Sequence, residues 1–145
     1  MKITTKVEYG IAALADIAIY SAGGEKVSTP EISQRQQISQ KYLEQILMLL
    51  RQGGFVRAVK GHHGGYSLAR SAEQICIADV LNILDNSILA DAAEIEADTG
   101  MRPSVKSCLW DRMNACLRSF TEHLTLADFL TFHEAETVGG DCYSI

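Results

Sequence analysis

Two polar segments in the N-terminal half carry side chains suited to contact nucleic acid. Residues 39–45 are predicted to open a helix with hydroxyl, amide, ammonium and carboxylate groups. Amides and cations match the edges of bases, and a carboxylate accepts hydrogen bonds from cytosine amino groups. Residues 60–66 form a glycine-rich turn with a lysine at its base, which suits a wing that approaches a minor groove closely. The alternatives are an ordinary solvated helix face and a simple hairpin turn.

The thiols and imidazoles are the other groups with possible chemistry. The four cysteines, Cys76, Cys108, Cys116 and Cys142, are too few and too scattered for a disulfide scaffold. In a reducing compartment they are packing residues, redox thiols or metal ligands. Cys76 lies between two isoleucines and is expected in the core. Cys142 follows two glycines in a polar tail and is expected to be exposed, either as a redox thiol or without a role. His62 and His63 should point to opposite sides of a hairpin, so a shared metal ion is not expected.

Composition indicates one ordinary folded domain with an uneven charge distribution. The 145 residues are 47% hydrophobic and 21% charged, with two prolines, which excludes disordered and collagen-like chains. Residues 1–70 hold nine Lys or Arg against five acids, a balance of +4, and residues 71–145 hold four against thirteen, a balance of −9. A basic half on a chain of net charge −5 suggests a module that faces a polyanion, joined to a half with another task.

Targeting signals are not visible in the sequence. No apolar run approaches the roughly 18 to 20 residues of a membrane-spanning helix, and the N-terminus lacks an apolar signal region. We therefore expect a cytoplasmic protein without a membrane partner.

The elements predicted for the N-terminal half are three helices and a hairpin. Helical spacing of apolar residues predicts a first helix over residues 6–20, a second to about residue 36 and a third from Ser39 to the glycines at 53–54. Residues 55–68 alternate around the glycine-rich turn as two antiparallel strands. The predicted fold class is mainly α with a small β-hairpin, as a winged helix-turn-helix domain over residues 1–84.

The C-terminal half is predicted to hold a long dimerisation helix. Residues 75–84 predict a short strand and a fourth helix, and residues 85–103 an acidic loop without ordered core. Dimerisation helices are expected over residues 104–135, as a long helix capped by Ser104 and a short one over 126–132, before a flexible tail at 136–145. Leu109, Met113, Leu117 and Phe120 share one apolar stripe that requires a partner, and a second copy is the simplest.

Three motifs occur in order along the chain, at residues 2–10 (KITTK and YG), 38–46 (ISQKYLEQI) and 59–70 (VKGHHGGYSLAR). In this combination they resemble the IscR, NsrR and CymR family of bacterial winged-helix regulators, over about residues 1–84. The resemblance implies a homodimeric repressor whose long helices cross and whose recognition helices and wings read a palindromic operator on double-stranded DNA. Lys60 stands where many members have arginine, and a lysine contacts phosphate as a point charge without forking onto guanine.

Together, the two segments and the resemblance define a set of candidate DNA contacts: Ser39, Gln40, Lys41, Tyr42, Glu44, Gln45, Arg51, Lys60, Gly61, His62, His63 and Gly64. Lys41, Tyr42, Glu44 and Arg51 are the positions that the resemblance places on or near operator contacts.

The resemblance also implies an iron-sulfur cluster, of the [2Fe–2S] type. Many relatives bind it through three cysteines in the loop before the long helix, but residues 85–107 hold no cysteine and Ser107 replaces a histidine found in some members. Cys108 and Cys116 remain, together with Glu8, which stands where certain relatives use an acidic ligand from the partner chain. The fourth ligand is not identified.

Spacing leaves the role of these two cysteines open. Eight residues of straight helix rise about 12 Å, too far for neighbouring ligands of one cluster, so either the helix starts after Cys108 or two chains contribute. A cluster-free thiol sensor and cysteines without a sensing role are the alternatives. Cys116 lies on the apolar stripe as a natural buried cysteine, and Glu8 has a ready role in a capping box with Thr5.

Two other classes of function remain. An enzyme would need a nucleophile beside a base, and the sequence shows no nucleophile elbow, P-loop or dinucleotide turn. A winged helix can also act as a protein-interaction module. Steep loss of duplex affinity with rising salt would distinguish a DNA binder from such an adaptor.

Overall fold

The computed structural model describes residues 2–91 and 99–142, which form a mainly helical fold with one small hairpin, as predicted. The helices and strands in chain order are α1 (Thr5–Tyr20), α2 (Thr29–Gln36), α3 (Gln40–Gln52), β1 (Val56–Val59), β2 (Gly65–Leu68), α4 (Ile77–Leu84), α5 (Arg102–Val105), a π-helical segment (Lys106–Trp110), α6 (Asp111–Glu122) and α7 (Leu126–Cys142). Short 3-10 turns occupy Ala22–Gly24 and Ala72–Gln74. None of the described helices is long and apolar enough to cross a membrane.

Polar caps set the starts of the first two helices. Thr4 accepts a hydrogen bond from the Val7 N–H at 3.4 Å, so the expected capping box of Thr5 with Glu8 is wrong by one residue. The backbone of Thr4 is extended, and Glu8 lies in the first turn, where a carboxylate favours the helix dipole. At α2, Ser28 and Glu31 form a reciprocal capping box.

A buried ion pair joins α1 to α2. The carboxylate of Asp16 is fully buried and accepts both Nε and Nη2 of Arg35, at 2.9 and 2.8 Å. Gln36 adds a third hydrogen bond at 2.8 Å, and the Arg35 guanidinium stacks over the Tyr20 ring at 3.8 Å. The hydrogen bonds with Asp16 raise the pKa of Arg35 above its ordinary value. The pair therefore satisfies every polar atom that it buries and fixes the angle between the two helices.

The turn between α2 and α3 orients the third helix. Gln37 adopts a left-handed conformation with φ of 58°, and the Ile38 N–H returns to the Ser33 carbonyl at 3.2 Å. Ser39 then caps α3 by accepting from the Tyr42 N–H at 3.3 Å. The predicted helix-turn-helix is present with these boundaries.

The hairpin carries one further strand residue. β1 and β2 are antiparallel, with Arg57 opposite Ser67 and Val59 opposite Gly65. Val27 exchanges two backbone hydrogen bonds with Tyr66, at 2.7 and 2.9 Å, and so extends the sheet beyond the two predicted strands. Gly65 has φ of 150° and a Cβ there would lie 2.7 Å from the Val27 carbonyl oxygen, so this pairing requires glycine.

Side chains from α1 to α4 and from the sheet converge on one core. At Gly10 a Cβ would lie 2.5 Å from Leu84 Cδ1, so this glycine permits the close approach of α1 and α4. The most completely buried large apolar residues are Leu14, Ile17, Val27, Ile32, Leu43, Ile46, Leu47, Leu50, Ile75, Val80 and Leu126. Leu126 begins α7, so the C-terminal helices pack onto the same core as the winged helix.

Two backbone hydrogen bonds attach the C-terminal helices to the winged helix. The Ile77 N–H donates to the Leu124 carbonyl and the Leu126 N–H to the Ile75 carbonyl, both at 2.9 Å. The strand expected near residue 75 is thus a single bridge between Cys76 and Thr125. It joins the winged helix to the junction of α6 and α7.

The long helix differs in detail from the prediction. α5, the π-helical segment and α6 follow one another without a break from Arg102 to Glu122, so Ser104 lies inside the helix and does not cap it. Pro103 in the first turn explains the earlier start, because proline is favoured where a helix leaves its N–H groups unpaired. Below, "the long helix" means residues 102–122.

The acidic loop begins with ordered core, contrary to prediction. Ile88 and Leu89 are buried, and Arg118 of the long helix donates to the Leu89 carbonyl through Nε and Nη2. Asn114 binds the next carbonyl, that of Ala90, at 3.1 Å. Part of the expected loop, residues 92–98, lies outside the described residues.

The last helix is also longer than predicted. α7 continues from Leu126 to Cys142, so the helix does not end at residue 132, and residues 136–142 of the expected tail are helical. The expected tail contains two adjacent glycines, but Gly139 meets no neighbouring atom and is simply tolerated within the helix.

Candidate nucleic-acid interface

The first turns of α3 present a polar face to solvent. Four of the predicted contacts, Gln40, Lys41, Glu44 and Gln45, are exposed, while the opposite face of the helix is completely buried. Ser39 is exposed too, although its hydroxyl oxygen already caps the helix. Amide, ammonium and carboxylate groups are therefore held in a fixed array by a helix whose other side is anchored in the core.

Tyr42 differs from its neighbours in this segment. It is half-buried, and its ring meets that of Tyr9 edge to face, with centroids 5.9 Å apart. This contact fixes the start of α3 against α1. Tyr42 therefore has a structural role beside any contact with DNA.

Two further residues extend the exposed face toward the end of α3. Arg51 lies exposed in the last turn, where a cation also favours the helix dipole. Met48 is 54% exposed and is not among the contacts predicted from sequence. Met48 follows Gln45 by three residues and Glu44 by four, and this spacing could have indicated that it lies on the same exposed face.

The turn between the strands forms a glycine-shaped wing. Lys60, Gly61, His62 and His63 are exposed, and Gly64 is half-buried. The Gly64 N–H closes the turn onto the Gly61 carbonyl at 3.0 Å, and a Cβ at Gly64 would clash with the Val59 carbonyl oxygen. The geometry of the closed turn is therefore sufficient to explain why residue 64 is a glycine, independently of any contact with DNA.

The long helix brings Cys108 and Cys116 to one surface. Cys108 lies in the π-helical segment and Cys116 in α6, and both are exposed free thiols. They line a shallow apolar groove with Leu109, Met113, Leu117 and Phe120. The alternative in which Cys116 is a buried core cysteine does not hold within one subunit, because the stripe that carries it faces away from the core.

The three predicted cluster ligands do not meet within one subunit. The helix starts before Cys108, so a late start cannot shorten the separation of the two thiols. Glu8 is exposed on α1 and does not line their groove. Among the side chains described, those of residues 2–91 and 99–139, no group of three His, Cys, Asp or Glu is arranged to hold a metal ion.

Cys76 lies at the edge of the core, close to its expected place. It is half-buried, and its thiol donates to the carbonyls of Thr121 and Glu122 at 3.5 and 3.4 Å. The thiol thus satisfies carbonyls that the end of α6 leaves unpaired. This capping role was not visible in the sequence.

Comparison with known proteins identifies the family to which this chain belongs. The family described as "Rrf2: Iron-dependent Transcriptional regulator" matches residues 3–131. The chain belongs to the Rrf2 family. The HTH-type transcriptional regulator IscR of Cereibacter sphaeroides is 36% identical over 135 residues, which cover 90% of this chain and 87% of the relative. IscR of Escherichia coli is 34% identical over 143 residues, with 97% and 86% covered.

Solved structures agree with the Rrf2 assignment. CymR, the global cysteine regulator of B. subtilis, superposes with a TM-score of 0.78 at 28% identity and covers 91% of this chain and 98% of its own. IscR of T. potens gives a TM-score of 0.75 at 33% identity, with coverages of 94% and 90%. The predicted family and the winged helix-turn-helix fold are both confirmed. Rrf2 proteins of this kind are DNA-binding regulators of transcription, and the enzyme alternative is excluded.

Proposed function

We propose that this Rrf2 protein binds a palindromic operator as a homodimer and represses transcription in response to redox state. The observation that carries the proposal is the exposed polar face of α3, which combines base-reading groups with a rigid, core-anchored helix. A helix of this kind fits the major groove, and the wing at residues 60–64 would then reach the backbone or the minor groove.

The expected contacts divide into two kinds. Gln40, Glu44 and Gln45 have the donors and acceptors that distinguish bases, whereas Lys41, Arg51 and Lys60 supply charge to phosphates. The distinction matters because base contacts set specificity and phosphate contacts set position and salt dependence.

Substitutions of Glu44 and Lys60 should separate these two roles. Glu44→Ala should change base preference at one position of each half-site by about 1–3 kcal/mol. Lys60→Ala should weaken binding to all duplexes about equally and reduce the salt slope by roughly 0.9 for each phosphate that is no longer neutralised. Binding titrations against a panel of single-base operator variants at several salt concentrations measure both effects. Wild-type behaviour of both variants on every duplex would show that neither α3 nor the wing contacts DNA.

The homodimer is supported by the surface of the long helix. Leu109, Met113 and Phe120 are 50%, 61% and 63% exposed in one subunit, and Trp110 is 48% exposed beside them. A contiguous apolar surface of this kind is costly in water and marks an interaction site. A second copy covers the same stripe on both subunits at once, which is the isologous contact of a two-fold dimer.

The sensing proposal rests on the two thiols in that stripe. Cys108 and Cys116 are exposed within a subunit and line one groove, so oxidation of either would place a polar group among the apolar side chains of the proposed interface. Such a change would alter the packing of the long helices and the distance between the two copies of α3.

An iron-sulfur cluster does not fit one subunit. The donor set there is two cysteines eight residues apart on one helix, a rise of about 12 Å for a straight α-helix, and no described third ligand completes a metal-binding group with them. The family description names iron dependence, and Cys108, Cys116 and the partner's Glu8 with a further ligand remain the arrangement to test. The donor set of the single chain supports the cluster-free thiol sensor.

Cysteine variants distinguish the cluster-free thiol sensor from the sensor that binds an iron-sulfur cluster. Hydrogen peroxide should change the operator affinity of wild type and of Cys76→Ala, but not of the Cys108→Ala/Cys116→Ala double variant, because Cys76 is engaged with two carbonyls at the end of α6. Protein purified without oxygen should be colourless. Visible absorption in the wild type that disappears in the double variant would instead establish a cluster shared between subunits. If the double variant responded to peroxide as strongly as wild type does, the proposal that these two thiols are the sensor would be wrong.

A further inference from the structure

A basic groove lies on the outer face of the hairpin, apart from α3. It is an open groove of about 520 Å³ that runs between the end of α1 and the sheet. Its polar lining consists of Ser21, Lys26, Arg57, Ser67, Arg70 and Ser71. We call this set the basic groove. None of its members belongs to the DNA contacts proposed above.

The hairpin and the segments beside it place three cationic side chains around this groove, Lys26, Arg57 and Arg70. Arg57 and Ser67 are directly opposite each other on β1 and β2, and Lys26 Nζ donates to Ser67 Oγ at 3.3 Å. Arg57 donates to the Ala69 carbonyl at 3.2 Å. Three separate parts of the chain, the segment before α2, β1 and the residues after β2, therefore direct cations to one surface.

Arg70 is held in place by the end of α3. It donates to the carbonyls of Gly53 and Gly54, both at 3.3 Å, and its guanidinium lies over the Phe55 ring at 5.0 Å. These contacts fix the side chain but use neutral acceptors. The charge of the guanidinium is therefore not neutralised by them.

The basic groove carries no compensating negative charge in the described part of the chain. None of its lining residues is acidic, and none of its cations forms an ion pair within the described ranges. Asp79 does not line the groove but shares a second cavity with Arg70, and Glu25 and Glu73 are close in sequence but do not line the groove. Within the described ranges, the groove thus places three positive charges without an ion-pair partner on a chain of net charge −5.

We propose that the basic groove binds phosphate groups. Arg57 gives one donor to Ala69 and keeps others for phosphate oxygens, and the Lys26 ammonium adds a point charge. Arg70 contributes mainly charge, because its Nε and Nη2 already donate to Gly54 and Gly53, and the serine hydroxyls supply further donors. The phosphate can come from the DNA backbone beside the half-site, since the same hairpin carries the wing, or from a free phosphorylated small molecule. The first source rests on the proposed operator binding, whereas the second does not.

The first arm of the test uses pyrophosphate as a free ligand. Isothermal titration of the full-length protein should show binding that weakens at least tenfold in Arg57→Gln and in Lys26→Gln. Arg102→Gln is the matched control, because it removes the same charge from an exposed residue at the start of the long helix. This control should bind pyrophosphate as wild type does.

The second arm uses duplex DNA long enough to extend beyond both half-sites. If the groove holds backbone phosphate, Arg57→Gln should reduce the salt slope by roughly 0.9 for each phosphate released from the groove, and a duplex trimmed to the half-sites should abolish the difference from wild type. Loss of pyrophosphate binding with an unchanged duplex slope identifies a free phosphate ligand. Wild-type pyrophosphate binding in both variants, together with a wild-type duplex salt slope in Arg57→Gln, would overturn the proposal. A wild-type protein that binds no duplex would refute operator binding alone, and the pyrophosphate arm would still decide the groove.

Discussion

Replacing Arg35 by methionine is expected to lower the free energy of unfolding by about 3 kcal/mol. The substitution leaves the carboxylate of Asp16 buried without its cation, and the loss of one partner of a buried pair costs roughly 3–5 kcal/mol. We place the effect at the lower end because the Arg35 side chain is 29% exposed and Gln36 still donates to Asp16. Urea unfolding followed by circular dichroism measures the change.

A double variant provides the control for this prediction. Asp16→Leu/Arg35→Met removes both charges, so it should be more stable than Arg35→Met alone. The angle between α1 and α2 depends on the pair, and operator affinity should fall in the single variant even under conditions where it is folded. Equal stability of wild type and Arg35→Met would show that Asp16 is not buried as described.

The exposed stripe predicts an effect of similar size on dimerisation. Met113→Asp should weaken the dimer at least about a hundredfold, because burial of one such side chain contributes about 1.5–3 kcal/mol and the substitution occurs twice in each dimer. Met113 is preferable to Leu117, since Leu117 also packs partly against the core of its own subunit and its replacement would disturb the fold. Analytical ultracentrifugation over a range of concentrations gives the dissociation constant.

Phe120 and Phe132 supply a matched pair for the same experiment. They are 63% and 60% exposed, but Phe120 lies on the long helix and Phe132 on α7. Phe120→Asp should dissociate the dimer, while Phe132→Asp should weaken it less, because the proposed contact is centred on the long helix. A fully dimeric Met113→Asp protein with native circular dichroism would show that the dimer uses another surface.

The winged helix could be predicted from sequence because its signals are local. The helical spacing behind Thr4, the capping box at Ser28 and the glycines at 53–54 and 64–65 each act within a few residues. The candidate contacts on α3 follow from the same information, since a polar face opposite an apolar one is visible in a single helix. The packing partner of Tyr42 could not be named in this way, because Tyr9 is distant in sequence.

The errors in the C-terminal half arise from contacts between distant residues. Leu89 falls in the loop that is predicted to lack core, but its side chain joins the core, and its carbonyl is bound by Arg118, 29 residues later. The full length of α7 could not be predicted, because its last turns contain two glycines, which disfavour a helix. The basic groove is invisible in the sequence because strand register, and not sequence spacing, brings its cations together.

The most direct measurement of the central claim is selection of bound duplexes from a random library by the wild-type protein at fixed salt, followed by determination of the mass of the selected complex. We expect a palindromic site with half-sites about one helical turn apart and two chains on each duplex. No enriched sequence, or a single chain bound to an asymmetric site, would contradict the proposed dimeric operator binding.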